Sequence, residues 1–141
     1  MEIKLSSKQF LTLPLGIAVH ETRISYHWMQ EGIFYCVTKG QDWSMDACNE
    51  VLALYAKIGA GKKIDILVDA SQTKPMPEDI QQYYTRHLPL YVRSCAILTT
   101  LSSVQNLTGP FMKLSFNGFA TRMFNNEQDA RHWLNTLKHY E

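Results

Sequence analysis

The sequence predicts an α/β fold, a mostly parallel sheet that begins with an antiparallel hairpin strand, built as one domain over residues 1–141. Three observations predict it. The run Ile64 to Val68 is almost wholly apolar, ends at Asp69 and opens into a polar loop, as an interior strand of a parallel sheet does. Short apolar runs then alternate with helical stripes through the rest of the chain. Before them, two segments of period two flank Gly32, which reads as a hairpin. A chain of 141 residues fits one domain. At that size about 68–70% of the unfolded surface is buried, so no staple is needed.

Each element has its own reason. Residues 1–15 receive no firm assignment; Phe10, Leu11, Leu13 and Leu15 suggest a short extended piece, broken by Pro14 and Gly16. Residues 17–29 and 33–39 form the hairpin arms. Ile24, Tyr26 and Trp28 alternate with Ser25 and His27; Ile33, Tyr35 and Val37 alternate with Phe34, Cys36 and Thr38. Residues 44–58 are a helix. Ser44 is its N-cap, Trp43 staples onto Cys48, and Met45, Cys48, Leu52 and Tyr55 share the inner face. Gly59 and Gly61 stop it. The central strand covers 63–69. Pro75 and Pro77 introduce a helix over 77–88, with Ile80, Tyr84 and His87 or Leu88 inward. SCAILTT, 94–100, is the next strand. A third helix spans 103–116, kinked or split by Gly109-Pro110. Residues 118–124 are the last strand. Asn125, with Gln128 three residues on, caps a final helix that buries Ala130, Trp133, Leu134 and Leu137. The order β-β-α-β-α-β-α-β-α calls for right-handed crossovers.

Composition narrows the function classes. Net charge is +1 with no basic run, so nucleic acid is not an expected partner. No apolar run approaches a membrane span, and MEIKLSS lacks the apolar core of a secretion signal, so a cytoplasmic location is expected. Cys36, Cys48 and Cys95 fall inside elements and read as buried free thiols; Asn106-Leu107-Thr108 is a chance glycosylation match. Only 19% of residues are charged, against about 25% in typical domains, which hints at a homodimer.

No catalytic motif emerges. Gly59-Ala60-Gly61-Lys62-Lys63 lacks phosphate-loop spacing and lies between a helix and a strand rather than ahead of a helix. The histidines show no zinc spacing; His132 and His139 read as surface residues, and His27 as facing solvent or a partner. No cofactor or metal is predicted. Asp69 and Ser71 end the central strand, with Thr99 and Thr100 on the same rim. Either they form a small polar site, as that edge hosts ligands in open sheets, or Asp69 ties down its own loop in an Asx turn; the turn is preferred. Tyr83, Tyr84, Phe111 and Met112 could line an apolar pocket or simply fill a core. Asp65 and Arg122 leave one sheet face wet or pressed on a second subunit.

The chain resembles the SpoIIAA-like fold, which includes STAS domains and their uncharacterised bacterial relatives. The hairpin with Glu31-Gly32 at its tip, ILVDAS (66–71) after a helix ending in GAGKK, CAILTT (95–100), and FNNEQDARHWL (124–134) carry the likeness over residues 17–138. The resemblance implies a superhelix of strand-helix turns and a partner-facing loop after the third strand. In anti-sigma-factor antagonists that loop carries a phosphorylated serine. Here Met76-Pro77-Glu78-Asp79 stands at that place, with no hydroxyl. Glu78 and Asp79 either mimic a phosphate or serve helix capping, the preferred reading.

The resulting expectation is a non-enzymatic regulatory or binding module acting through protein contacts, with Asp69, Ser71, Glu78 and Asp79 on the partner-facing surface. The alternative is a carrier of a small apolar or lipid-like ligand held by Tyr83, Tyr84, Phe111 and Met112. An enzyme using Asp69, Ser71 or a histidine is the third and weakest reading.

Overall fold

The alternation of strands and helices is realised as a six-stranded mixed sheet in spatial order β1-β2-β3-β4-β5-β6. The structure is a computed structural model that describes residues 9–138. The strands are β1 (His20–Glu21), β2 (Ser25–Gln30), β3 (Ile33–Thr38), β4 (Ile64–Asp69), β5 (Val92–Leu98) and β6 (Ala120–Phe124). The helices are α1 (Met45–Gly59), α2 (Glu78–Tyr91), α3 (Thr108–Phe116) and α4 (Glu127–Lys138). β1, β2 and β3 pair antiparallel, and β3 through β6 are parallel. β4 therefore lies mid-sheet, paired on both sides.

Because spatial order follows chain order, the three crossovers of the parallel part pack on one face. Phe34, Ile66, Cys95 and Ile97 from the strands join Val51 and Tyr55 of α1, Ile80 and Leu88 of α2, and Leu114 of α3 in one core. The alternate strand residues Tyr35, Leu67, Ala96 and Leu98 point the other way. There they meet Ala130 and Leu134 of α4 and Leu11 of the N-terminal segment. Each large apolar side chain so buried contributes about 1.5–3 kcal/mol.

Several expectations shift. The first hairpin arm is two strands: the chain turns at Thr22, whose N–H donates to Ser25 O at 2.8 Å, and β1 folds back on β2. Alternation on either side of a short turn looks like one strand, so the pattern concealed the reversal. Ser44 caps α1, its hydroxyl accepting from Ala47 N–H at 3.1 Å, but Met45 is exposed rather than inward. α2 runs through Pro89 to Tyr91; the proline stands in the last turn, and Val92 N–H still bonds Leu88 O. The predicted third helix does split, into a 3-10 turn (Val104–Asn106) and α3, with Pro110 in the first turn of α3. The α4 cap is Asn126, not Asn125. Its side-chain oxygen accepts from Asp129 N–H at 2.8 Å, so Gln128 takes no part.

Two polar residues also differ from expectation. His27 is fully buried, not facing solvent. Asp65 does not wet its sheet face. It is 4% exposed, accepts from Arg93 Nε at 2.9 Å and Ser94 Oγ at 2.6 Å, and is bridged by a second Arg93 nitrogen. Arg122 is exposed on the edge strand β6, 5.4 Å from the Phe124 ring centre. Among the described residues no helix is long and apolar enough to cross a membrane. His139 lies outside the described residues.

Candidate functional site

The three-helix face is not filled. Between the sheet and α1–α3 lies a mainly apolar cavity with about 80 Å³ of free space, inside an envelope of about 840 Å³ that includes its mouth. Side chains of period two build its floor: Cys36 and Thr38 from β3, Val68 from β4, Cys95 and Ile97 from β5. These sit side by side, since Cys36 is in register with Val68, and Val68 with Ile97. Val51 and Tyr55 of α1, Tyr84 and Leu88 of α2, and Phe111 and Leu114 of α3 form the walls. The mouth opens among the loops that follow the parallel strands, at Gly40, Gln41, Thr73, Lys74 and Asn106. That is the carboxyl rim, where open parallel sheets take their ligands.

Gly40 has a structural reason to be glycine. Its φ is +75°, and a Cβ there would lie 3.3 Å from Gln72 O. The loop after β3 therefore crosses close over the loop after β4 at the mouth.

A polar group is sunk beneath one end of the floor. Ser25, which lines the cavity, places Oγ 2.6 Å from His27 Nε2 and 2.7 Å from Thr22 Oγ1. Residues two apart on a strand share a face, so a serine and a histidine meet. No motif marks this S-x-H pair in the sequence; its one signal is the alternation of the strand. The His27 ring stacks on Phe34 at 5.4 Å and meets Tyr55 edge-on at 5.7 Å. Burial, and then the neighbouring His20, push His27 down to about 3, so it is neutral near neutral pH. Its Nδ1 is buried with no partner. The pair thus lacks the third group that would orient a catalytic base.

The thiols are equally unsuited to attack. Burial drives Cys36 far above the usual thiol range, with Cys95 adding to it. Burial pushes Cys95 up to about 12, although the Thr121 hydroxyl opposes it, and Cys48 up to about 11. A nucleophile needs the thiolate, which is scarce here. Burial also raises the Tyr55 and Tyr84 phenols well above their ordinary value. The cavity wall is therefore neutral near physiological pH. Among the described residues, Lys74 is its one charged lining group.

The residues singled out from the sequence separate into three groups. Tyr84 and Phe111 do line the cavity; Tyr83 stacks on His87 at 4.0 Å and Met112 is exposed, and neither lines it. Asp69 is 0% exposed and works as an anchor: Oδ2 accepts from Phe10 N–H at 2.7 Å and Leu11 N–H at 2.9 Å, while Oδ1 accepts from Ser71 N–H at 3.1 Å. The Asx-type tie to its own loop is present, and its carboxylate is not offered to a partner. Ser71 Oγ is buried with no hydrogen-bond partner. Thr99 and Thr100 bond the Ser103 hydroxyl at 2.7 and 3.0 Å, closing their own turn. Glu78 and Asp79 are exposed in the first turn of α2, and Glu78 pairs with Lys113 at 3.0 Å. Among the described residues no three His, Cys, Asp or Glu side chains gather into a metal site.

The family described as a domain of unknown function, DUF7793, matches residues 27–138, and the chain belongs to it. That span contains β3 through α4, and with them nearly all of the cavity lining. No curated protein matches the chain, and no solved structure does.

Proposed function

We propose that this chain is a non-enzymatic binding module of SpoIIAA/STAS-like architecture, and that its apolar cavity takes a small apolar or lipid-like ligand. The observation that carries the reading is the cavity itself: a neutral, mainly apolar pocket that opens at the carboxyl rim of a parallel sheet. Ligand pockets are of this kind, apolar walls with few polar groups. A dry cavity of about 150 Å³ accepts a benzene-sized guest; the free space here, about 80 Å³, is smaller than that, so a short alkyl chain suits the cavity, and the rest of a longer ligand lies in the mouth. The SpoIIAA-like reading rests on the strand order and on the single-sided crossovers. The phosphorylation switch of anti-sigma-factor antagonists has no place in it, since no hydroxyl stands at residues 76–79.

A regulatory role through protein contacts is the second reading, favoured by one observation. Met76 lines the cavity while Glu78 and Asp79, two residues on, are exposed. A ligand at the mouth would thus lie beneath a surface open to a cytoplasmic partner or a second copy.

Displacement of N-phenyl-1-naphthylamine by octanol tests the binding reading. Wild type should bind the dye saturably and release it to octanol. Val68→Phe, which fills the middle of the floor, should lose both and keep its fold; Ala70→Val is the milder filling variant. No saturable dye binding, together with no co-purified mass in native mass spectrometry, would overturn the reading.

A further inference from the structure

The cavity has one charged group at its mouth, and its setting specifies the ligand's head. The loop that carries Lys74 is held at three points. Thr73 N–H donates to Ala70 O at 3.1 Å, Asn106 Nδ2 donates to Thr73 O at 3.2 Å, and Gln81 Nε2 donates to Met76 O at 2.7 Å. The backbone on both sides of Lys74 is therefore fixed at the rim, and its ammonium has only its own side-chain freedom. Lys74 is exposed and pairs with no acidic residue among the described ones. Of the acidic residues nearest in the chain, two are engaged elsewhere, and Asp79 is exposed on the first turn of α2. The Asp69 carboxylate is saturated by three backbone N–H groups, and Glu78 is paired with Lys113. Among the described residues no carboxylate lines the cavity to repel an anion.

On this basis, and resting on the cavity-binding reading above, we propose that the ligand is a monoanionic amphiphile: a short- to medium-chain monocarboxylate. Its apolar body lies over Val68, Cys95 and Leu88, and its carboxylate stands at the rim against Lys74. A single ammonium matches a single negative charge. The pocket wall beneath it is neutral, so a second charge deeper in the ligand would be desolvated without a partner. An amine head is disfavoured, because among the described residues the lining offers it Lys74 and no carboxylate.

The test compares octanoate, octanol and octylammonium as competitors of N-phenyl-1-naphthylamine, a neutral dye, on wild type and on Lys74→Gln. Octanoate should displace the dye better than octanol from wild type, by about fivefold as for a partly exposed ion pair, and octylammonium should be weakest. Lys74→Gln should remove the octanoate advantage and leave octanol unchanged. Along butyrate, hexanoate and octanoate, affinity should rise about fourfold per methylene until the cavity is full. Equal displacement by octanoate and octanol from both proteins would overturn the head-group assignment while leaving the cavity reading intact. If no competitor displaces the dye, or Val68→Phe binds octanoate like wild type, the cavity reading fails and this inference with it.

Discussion

Asp69→Asn is the sharpest test of how the chain holds its N-terminal segment. In the wild type the carboxylate is fully buried and accepts three backbone N–H groups, from Phe10, Leu11 and Ser71, at 2.7, 2.9 and 3.1 Å. Asparagine has the same shape but one acceptor oxygen. In its better orientation that oxygen replaces Oδ2 and keeps the bonds from Phe10 and Leu11, now without charge. The amide nitrogen then faces the N–H of Ser71, donor against donor. A bond to a charged group is worth about 1.5–3 kcal/mol and a neutral one about 1, and a buried donor without an acceptor costs about 1–3 kcal/mol. Summed over two weakened bonds and one conflict, the expected loss is about 2–7 kcal/mol, a large part of a typical domain's stability. Urea denaturation gives the loss, and amide exchange at residues 10 and 11 locates it. Ser71→Ala is the control: it leaves the backbone N–H in place and removes a hydroxyl that has no partner, so its midpoint should be unchanged or higher. An Asp69→Asn midpoint equal to wild type, with Leu11 still protected, would refute the anchoring role.

Two further predictions concern buried polar groups. Arg93→Ala strips the 4%-exposed Asp65 of its guanidinium and should cost about 3 kcal/mol in urea; adding Asp65→Asn should recover part of it, since the penalty is an unpaired buried charge. His27 is held down to about 3 by burial and by His20, while the unfolded chain protonates near the ordinary 6.5. The unfolded state therefore binds more protons between those values, so the stability is fully present above about pH 6.5 and is lost as pH falls toward 3. At about pH 5 the loss should be about 2 kcal/mol, and His27→Gln should flatten the slope of urea midpoint against pH.

Much of the fold was legible because each cue was local. Gly32 marked the hairpin, Ser44 the first helix start, and Gly109-Pro110 the break in the third helix. What the sequence hid was non-local. Nothing near Asp69 announces that its partners are residues 10 and 11, so its role as an anchor could be half read at best, through the tie to Ser71. Asp65 read as a wet interruption because its partner Arg93 stands 28 residues away. The Ser25–His27 pair was written in plain alternation but has no motif. The aromatic content of α2 and α3 pointed to a pocket. Which of those rings face it depends on helix phase: Tyr84 and Phe111 turn inward while their neighbours Tyr83 and Met112 do not.

The two faces of the sheet carry different loads, and this accounts for the position of the cavity. On the α4 face the strands present Tyr35, Leu67 and Leu98 around Ala96, which is 0% exposed, as is Ala130 of α4. Small residues there admit the helix closely, and Leu11, pinned through Asp69, completes the cover. That face is dense and tied by hydrogen bonds. On the opposite face three helices must cover the same strands, and the floor offers mid-sized side chains, Cys36, Val68 and Cys95. Among the described residues no aromatic side chain of the strands lines that floor to fill the gap. An all-parallel series with every crossover on one face thus builds its rigidity on one side and its vacancy on the other. The anchor at Asp69 and the mouth at Lys74 lie only five residues apart in the chain, but the alternation of β4 sends Val68 and Asp69 to opposite faces. Loss of the anchor should therefore weaken the fold without reshaping the pocket, which is why stability and ligand affinity can be measured as separate quantities in this protein.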